Sequence, residues 1–292
     1  MDKNLIAIDS HVFIKPEYLN HKYVSGNKLR KLKYNVLEAK QQNKSTLVTF
    51  GGAFSNHIAA LAYAAKAIGM QSIGVIRGEE LEDLRPLNST LSFAQSCGMQ
   101  FKFVSREVYR TKTTEGFIEQ LKNEFGDFFL IPEGGTNQLA VKGCEEILEE
   151  VRQDFDYICC PVGTGGTISG LINSSRPHQK IIGFPALKGD FLKAEIAKFA
   201  TQSNWELSGD YHFGGYAKIN SELIQFINGF KSAHHVPLDP IYTGKMMFGI
   251  YDLMAKGYFE KDAKILAIHT GGLQGIEGMN ARLKQQHKSL II

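Results

Sequence analysis

Three short stretches of this 292-residue chain combine residue types able to hold an anion or activate an amine. Gly163-Thr164-Gly165-Gly166-Thr167 follows an apolar run, Tyr157 to Val162, and opens a helical pattern. Glycines let the backbone approach a ligand, free amides at a helix start attract an anion, and Thr164 and Thr167 add hydroxyl donors. Such a turn can be merely tight, but paired hydroxyls at a helix start favour a phosphate cradle. The spacing departs from two common phosphate sites. A GxGxxG count from Gly163 puts Ile168 at the third glycine, and no Gly-Lys-Ser/Thr follows for a P-loop.

Gly51-Gly52-Ala53-Phe54-Ser55-Asn56-His57 is a second turn, opened by two glycines. Ser55 has the residue type of a helix N-cap, with Asn56 and His57 in the first turn. Capping alone would account for Ser55, yet the run also supplies donors for a carboxylate or a phenolic oxygen. The third stretch is Ser25-Gly26-Asn27-Lys28-Leu29-Arg30-Lys31-Leu32-Lys33-Tyr34. Leu29, Leu32 and Val36 share one helical face, so an amphipathic helix starts here with Asn27 as its cap. Taken alone, its four basic residues read as a solvated face. A lysine becomes a nucleophile only where burial or nearby cations depress its pKa, which Arg30 and Lys31 permit at Lys28. Further on, Asp239-Pro240-Ile241-Tyr242-Thr243-Gly244-Lys245 turns into a helix, and a strand from Ile265 ends in His269-Thr270-Gly271-Gly272.

These turns lie where strands hand over to helices. Residues 46–50, 72–77, 101–104 and 128–131 read as strands, with helical patterns at 55–70, 87–97 and 113–125. The cycle resumes with a strand at 157–162, a helix at 166–175, a strand at 180–186 and a helix at 190–200. Helices near 219–231 and 245–256 precede a last strand at 264–269. This spacing gives βαβ units and parallel sheets, whose ligands bind beyond the carboxyl ends of the strands. No linker rich in Pro, Gly and Ser divides the chain. One domain inserted in another fits the pattern.

The bulk composition narrows the function classes. The 33 Lys and Arg exceed the 30 Asp and Glu by three and are dispersed, so neither nucleic acid nor an anionic membrane is expected as a partner. No apolar run approaches the roughly 20 residues of a membrane span. The N-terminus MDKNLIAIDSHVF is interrupted by Asp9 and His11 and lacks a signal-peptide core, so a cytoplasmic protein is expected. Cys97, Cys144, Cys159 and Cys160 form no CxxC pair and read as buried thiols, not as disulfides or a metal site.

Taken in order, SGNKLRKLKY, GGAFSNH, GTGGT, DPIYTGK and HTGG resemble the pyridoxal 5′-phosphate (PLP) family of 1-aminocyclopropane-1-carboxylate deaminases and D-cysteine desulfhydrases. The likeness runs from Asn27 to Gly272, and the joint order is far more specific than any single motif. It implies an α/β fold of the tryptophan synthase β type (fold type II): two open parallel-sheet domains with helices on both faces, and PLP between them. Residues 1–35 and 141–292 would form the larger domain and 36–140 the smaller, inserted one. By the same resemblance Lys28 carries the cofactor and Lys31 contacts its phosphate, with Gly163, Thr164, Gly165, Gly166 and Thr167 as the phosphate loop. Ser55 would handle substrate carboxylate and protons, Asn56 would bond the ring hydroxyl, and His57 would join them around the substrate. Tyr242 would pack on the pyridine ring, and Tyr216, in Gly215-Tyr216-Ala217, would match a second active-site tyrosine. The substrate would be a small amino acid and the assembly a homodimer.

Departures from the pattern bear on the substrate. The cyclopropane deaminases carry Glu after the motif tyrosine, near the pyridine nitrogen, and lack Thr before the last Gly-Gly. This chain has Thr243 and Thr270, as the desulfhydrases do. Phe54 stands where the family usually carries glutamine. The preferred reaction is therefore conversion of D-cysteine to pyruvate, sulfide and ammonia, with Lys28 taking the Cα proton. The alternatives are ring opening of the cyclopropane substrate to 2-oxobutanoate and ammonia, a catalytically idle PLP-binding protein, and a nucleotide-binding oxidoreductase, which the failed fingerprint disfavours.

Overall fold

β-branched runs and longer amphipathic runs alternate through most of the chain, and in the computed structural model, which describes residues 4–83 and 86–292, they form strands and helices. In chain order, the first are β1 (Ile6–Ala7), β2 (Val12–Lys15) and α1 (Asn27–Gln41). Next come β3 (Thr46–Gly52), α2 (Asn56–Ala67), β4 (Gln71–Arg77), α3 (Ser89–Ser96) and β5 (Gln100–Val104). They are followed by α4 (Arg106–Arg110), α5 (Glu115–Phe125), β6 (Phe129–Ile131) and α6 (Gln138–Glu149). Then β7 (Tyr157–Val162), α7 (Gly166–Ser174), β8 (Lys180–Pro185), α8 (Phe191–Ala197) and β9 (Trp205–Leu207) continue the pattern. Last are α9 (Ser221–His234), α10 (Thr243–Ala255), β10 (Ile265–Ile268) and α11 (Gly275–Gln285).

The strands sort into two sheets. One has the order β5-β4-β3-β6 and is parallel throughout; the other runs β1-β2-β10-β7-β8-β9. The second is parallel except at its edge, where β1 pairs antiparallel with β2. All strands of the four-stranded sheet come from residues 46–131, and the others flank that range. On that partition we propose the division expected from the sequence, 36–140 within 1–35 and 141–292.

Side-chain alternation along the strands gives each sheet two apolar faces. On the larger sheet Cys159, Ile182, Phe184 and Ala267 pack with Leu223, Ile227, Met247 and Ile250 of α9 and α10. Their neighbours Ile158, Cys160, Ile181 and Leu266 pack on the other side with Cys144, Ile147, Leu171 and Ile196 of α6, α7 and α8. Leu47, Ile76 and Ile131 of the smaller sheet face α1 to α3, while Val48, Phe50 and Val75 face Tyr109 of α4 and Phe117 and Leu121 of α5. Each buried Leu or Ile contributes about 1.5–3 kcal/mol, so both sheets are rigid platforms for the loops at their strand ends.

Some expectations need correction. Asn27 does not cap α1: Gly26 is the N-cap, without a side-chain bond. Gly26 has φ +66°, and a Cβ there would lie 1.9 Å from the Thr270 carbonyl, so no other residue fits. Nor is the basic face of α1 wholly solvated, although Lys33 is exposed. Arg30 and Lys31 are buried. The Arg30 guanidinium is held between Glu17, at 2.9 Å, and Glu150, at 2.7 Å. The sequence pattern gives no element between 132 and 156, where α6 forms, nor the strands β1, β2 and β9. The helices α4 and α11 are also additional. All four cysteines are buried and free.

Candidate active site

The carboxyl ends of the strands and the helix starts beyond them meet around a cavity of about 320 Å³. Its walls include Lys28, Lys31, Phe54, Ser55, Asn56, His57, Arg77, Glu133, Gly163, Thr164, Gly165, Thr167, Tyr216, Tyr242 and Thr270. Residues separated by more than two hundred positions are brought together because every one of these loops follows a strand or opens a helix.

Lys28 lies in the first turn of α1, where its Nζ donates to Asn27 Oδ1 at 2.9 Å. Burial and the charge of Lys31 lower its pKa to about 7, so a large share of the amine is neutral near that pH. Asn27 is committed on its other side as well, donating to Thr167 Oγ1 at 2.7 Å. That is the physical reason it does not cap the helix. Thr167 accepts from Asn27 and also has a side-chain hydrogen bond with the buried Cys144 thiol. Lys31 donates to Gly134 O and Thr136 Oγ1, both at 3.0 Å, and lies 3.4 Å from Thr164 Oγ1. A Cβ at Gly166 would fall 3.2 Å from Lys31 Nζ, so the glycine keeps the ammonium close to the start of α7.

Ser55 is the N-cap of α2, accepting from the Ile58 amide, and is only partly buried. Asn56 Oδ1 is buried without a hydrogen-bond partner among the described residues, and its Nδ2 is 3.1 Å from where a Cβ on Gly272 would be. His57 is less available than its place in the motif implies. Its ring is buried and its Nε2 is 2.9 Å from Thr49 Oγ1. Burial, with Lys28 and Lys31 nearby, holds it neutral.

Tyr242 and Tyr216 face each other at 6.3 Å in an edge-to-face arrangement. Burial raises both phenol pKa values, so each stays a proton donor at neutral pH. Thr243 behaves differently from expectation. It is fully buried, absent from the cavity wall, and donates to Asp239 Oδ2 at 2.6 Å. The Asp239 carboxylate also accepts from the amides of Ile241, Tyr242 and Thr243, which fixes the turn that presents Tyr242. Thr243 thus holds that turn in place, while Thr270 does reach the wall.

Sequence reasoning missed Glu133, Gly134, Thr136 and Arg77. Glu133, Gly134 and Thr136 follow β6 of the smaller sheet, and Arg77 is the last residue of β4. Gly134-Gly135 after a strand was the available signal for the first, whereas a single exposed Arg77 gives none.

Known proteins resemble this chain in sequence and in fold. The family of pyridoxal-phosphate dependent enzymes matches residues 4–271. The 1-aminocyclopropane-1-carboxylate deaminase of Bradyrhizobium diazoefficiens is 31% identical over 286 residues, covering 87% of this chain and 84% of that one. The mitochondrial bifunctional D-cysteine desulfhydrase/1-aminocyclopropane-1-carboxylate deaminase of Arabidopsis thaliana is 30% identical over 294 residues, 91% of this chain and 73% of that one. This chain belongs to that PLP-dependent family. A solved structure of a 1-aminocyclopropane-1-carboxylate deaminase homologue superposes with a TM-score of 0.83 at 29% identity, over 94% of this chain and 88% of the other. The fold is therefore type II, the protein is a PLP-dependent enzyme, and the dinucleotide-binding alternative falls away. The cavity's chemistry suits the cofactor: an amine with lowered pKa, an unpartnered amide oxygen, and a glycine-rich helix start beside the Lys31 amine.

Proposed function

We propose that the enzyme converts D-cysteine, or a similar small D-amino acid with a β-leaving group, to pyruvate, ammonia and the released group, which is sulfide for cysteine. The observation that carries this reading is the state of the carboxylates. Glu133 is the one carboxylate among the described residues of the wall, and it is tied to Tyr109 at 2.8 Å and Lys112 at 3.3 Å. Asp239 lies behind the wall, its oxygens occupied by three amides and Thr243. Among the described residues of this wall no free carboxylate is left to hold a pyridine nitrogen protonated, and a hydroxyl such as that of Thr270 does so far less.

PLP, when bound, takes up the amino group of the substrate and withdraws electrons from a bond at Cα. We assign its covalent attachment to Lys28 and its phosphate to Lys31 and residues 163–167. Asn56 would hold its ring hydroxyl and Tyr242 would pack on its ring. Ser55 receives the substrate carboxylate at the start of α2, where the helix dipole favours an anion. The share of Lys28 that is neutral near pH 7 takes the Cα proton, and Tyr216, accepting from Tyr242, keeps its own proton for the leaving group. His57, held neutral against Thr49, orients the start of α2.

Departure of a thiolate demands less electron withdrawal than opening a ring without a leaving group or a Cα hydrogen. We expect kcat/KM for D-cysteine or β-chloro-D-alanine to exceed that for 1-aminocyclopropane-1-carboxylate by at least about a hundredfold, roughly 2.7 kcal/mol. Parallel assays of pyruvate and 2-oxobutanoate release test this. Equal or greater kcat/KM for the cyclopropane substrate would favour the second reading, the deaminase activity carried by the Bradyrhizobium relative.

A further inference from the structure

We propose that Arg77 receives a second anionic group on the substrate, so that acidic amino acids are preferred over neutral ones of the same shape. The proposal rests on the reading of the cavity as an amino-acid site and adds the class of side chain it takes. Arg77 ends β4 at the carboxyl edge of the smaller sheet and lines the cavity while staying exposed. Its guanidinium lies against the turn that carries Ser55, with Nη2 3.6 Å from where a Cβ on Gly52 would be.

The other cations on the wall are committed. Lys28 is bonded to Asn27, and Lys31 to Gly134 and Thr136. Arg77 has no carboxylate within 4 Å among the described residues. Glu133, the carboxylate on the same wall, is already engaged by Lys112 and the Tyr109 hydroxyl. What supports Arg77 is an aromatic face: its guanidinium carbon lies 5.7 Å from the centre of the Tyr109 ring. The same phenol is anchored through Glu133, so the ring is a fixed shelf under the cation. Arg77 also acts electrostatically on the Tyr216 phenol across the cavity, where its charge opposes the upward shift from burial.

A guanidinium on an aromatic shelf, unpaired and facing a cavity, is pre-organised for a carboxylate, sulfinate, sulfonate or phosphate. Ser55 and the start of α2 serve the α-carboxylate on the adjoining turn, so a ligand spanning both would carry two anions. Charge-assisted bonds of this kind distinguish isosteres by about tenfold to a hundredfold.

The test uses the PLP-loaded enzyme and two charge pairs, aspartate against asparagine and glutamate against glutamine, in both enantiomers. Dissociation constants are read from the cofactor absorbance and, independently, by calorimetry. The acidic member of at least one pair should bind about tenfold tighter or better. Arg77→Gln should bring the affinities of the acidic and neutral members of the pair together, and Arg77→Lys should retain part of the preference. Equal binding within both pairs, no binding by any of them, or a preference that survives Arg77→Gln overturns the proposal. D-Cysteine turnover measured on the same preparation separates the two readings. Pyruvate release without an acidic preference refutes the role of Arg77 alone, while absence of pyruvate counts against the desulfhydrase reading.

Discussion

Lys28 is a residue the fold holds at a cost. Burial and Lys31 depress its pKa from the usual lysine range to about 7. From about pH 7 to 10.5 the unfolded chain carries this proton and the folded chain does not, so stability rises with pH across that window. Below about 7 both states carry it, and the folded state bears the full penalty of a confined charge. Lys28→Met, measured without PLP, should therefore melt several degrees above the unsubstituted chain at pH 7. The difference should shrink as the pH approaches 10. A variant that melts lower at pH 7 and gains nothing at pH 10 would show that the amine is not under this stress. The sequence made Lys28 visible through its motif, but it could not show that Asn27 binds the lysine and Thr167 instead of capping the helix, because that depends on a partner 140 residues away.

At the scale of elements, the site depends on how its loops are clamped. The segment carrying Tyr216 is conformationally unusual: Phe213, Gly214, Gly215 and Ala217 all have positive φ. Lys245 of α10, one turn beyond Tyr242, crosses beneath it and donates to His212 O at 2.8 Å and Gly215 O at 2.9 Å. The lysine is buried, and burial lowers its pKa to about 8 against the opposing pull of Asp239. Lys245→Met leaves both carbonyls without their charged donor, a loss of about 1–3 kcal/mol. Amide exchange at 212–217 should rise, and kcat should fall about tenfold while affinity for substrate changes little. Unchanged exchange in that segment would mean the loop holds itself. The βαβ units were legible because β-branched runs and turn glycines alternate. Helix α6 was not, since Gly143 interrupts its pattern; the glycine is there because a Cβ would lie 2.0 Å from the Arg30 carbonyl. Strands β1 and β2 escaped because Asp9 and His11 interrupt their apolar run.

The whole molecule is two sheets whose carboxyl edges share one cavity, with neither sheet supplying a complete site. The larger contributes the 163–167 turn, Tyr216, Tyr242 and Thr270; the smaller contributes Ser55, Asn56, Arg77 and Glu133. Phe54 reaches from the smaller sheet's turn to α11, where a Cβ on Gly278 would come within 2.9 Å of its ring. Motifs anchored by glycines and chemically distinctive residues could be read from the sequence. Glu133 and Arg77 could not, because their meaning comes from where β6 and β4 end relative to the other sheet. The central claim is that this shared cavity holds PLP on Lys28. Borohydride reduction of the PLP-loaded enzyme, followed by peptide mapping, tests it most directly. The pyridoxyl label should fall on Lys28 and be lost in Lys28→Met; a label on Lys31 or Lys245, or undiminished labelling in that variant, would place the cofactor elsewhere.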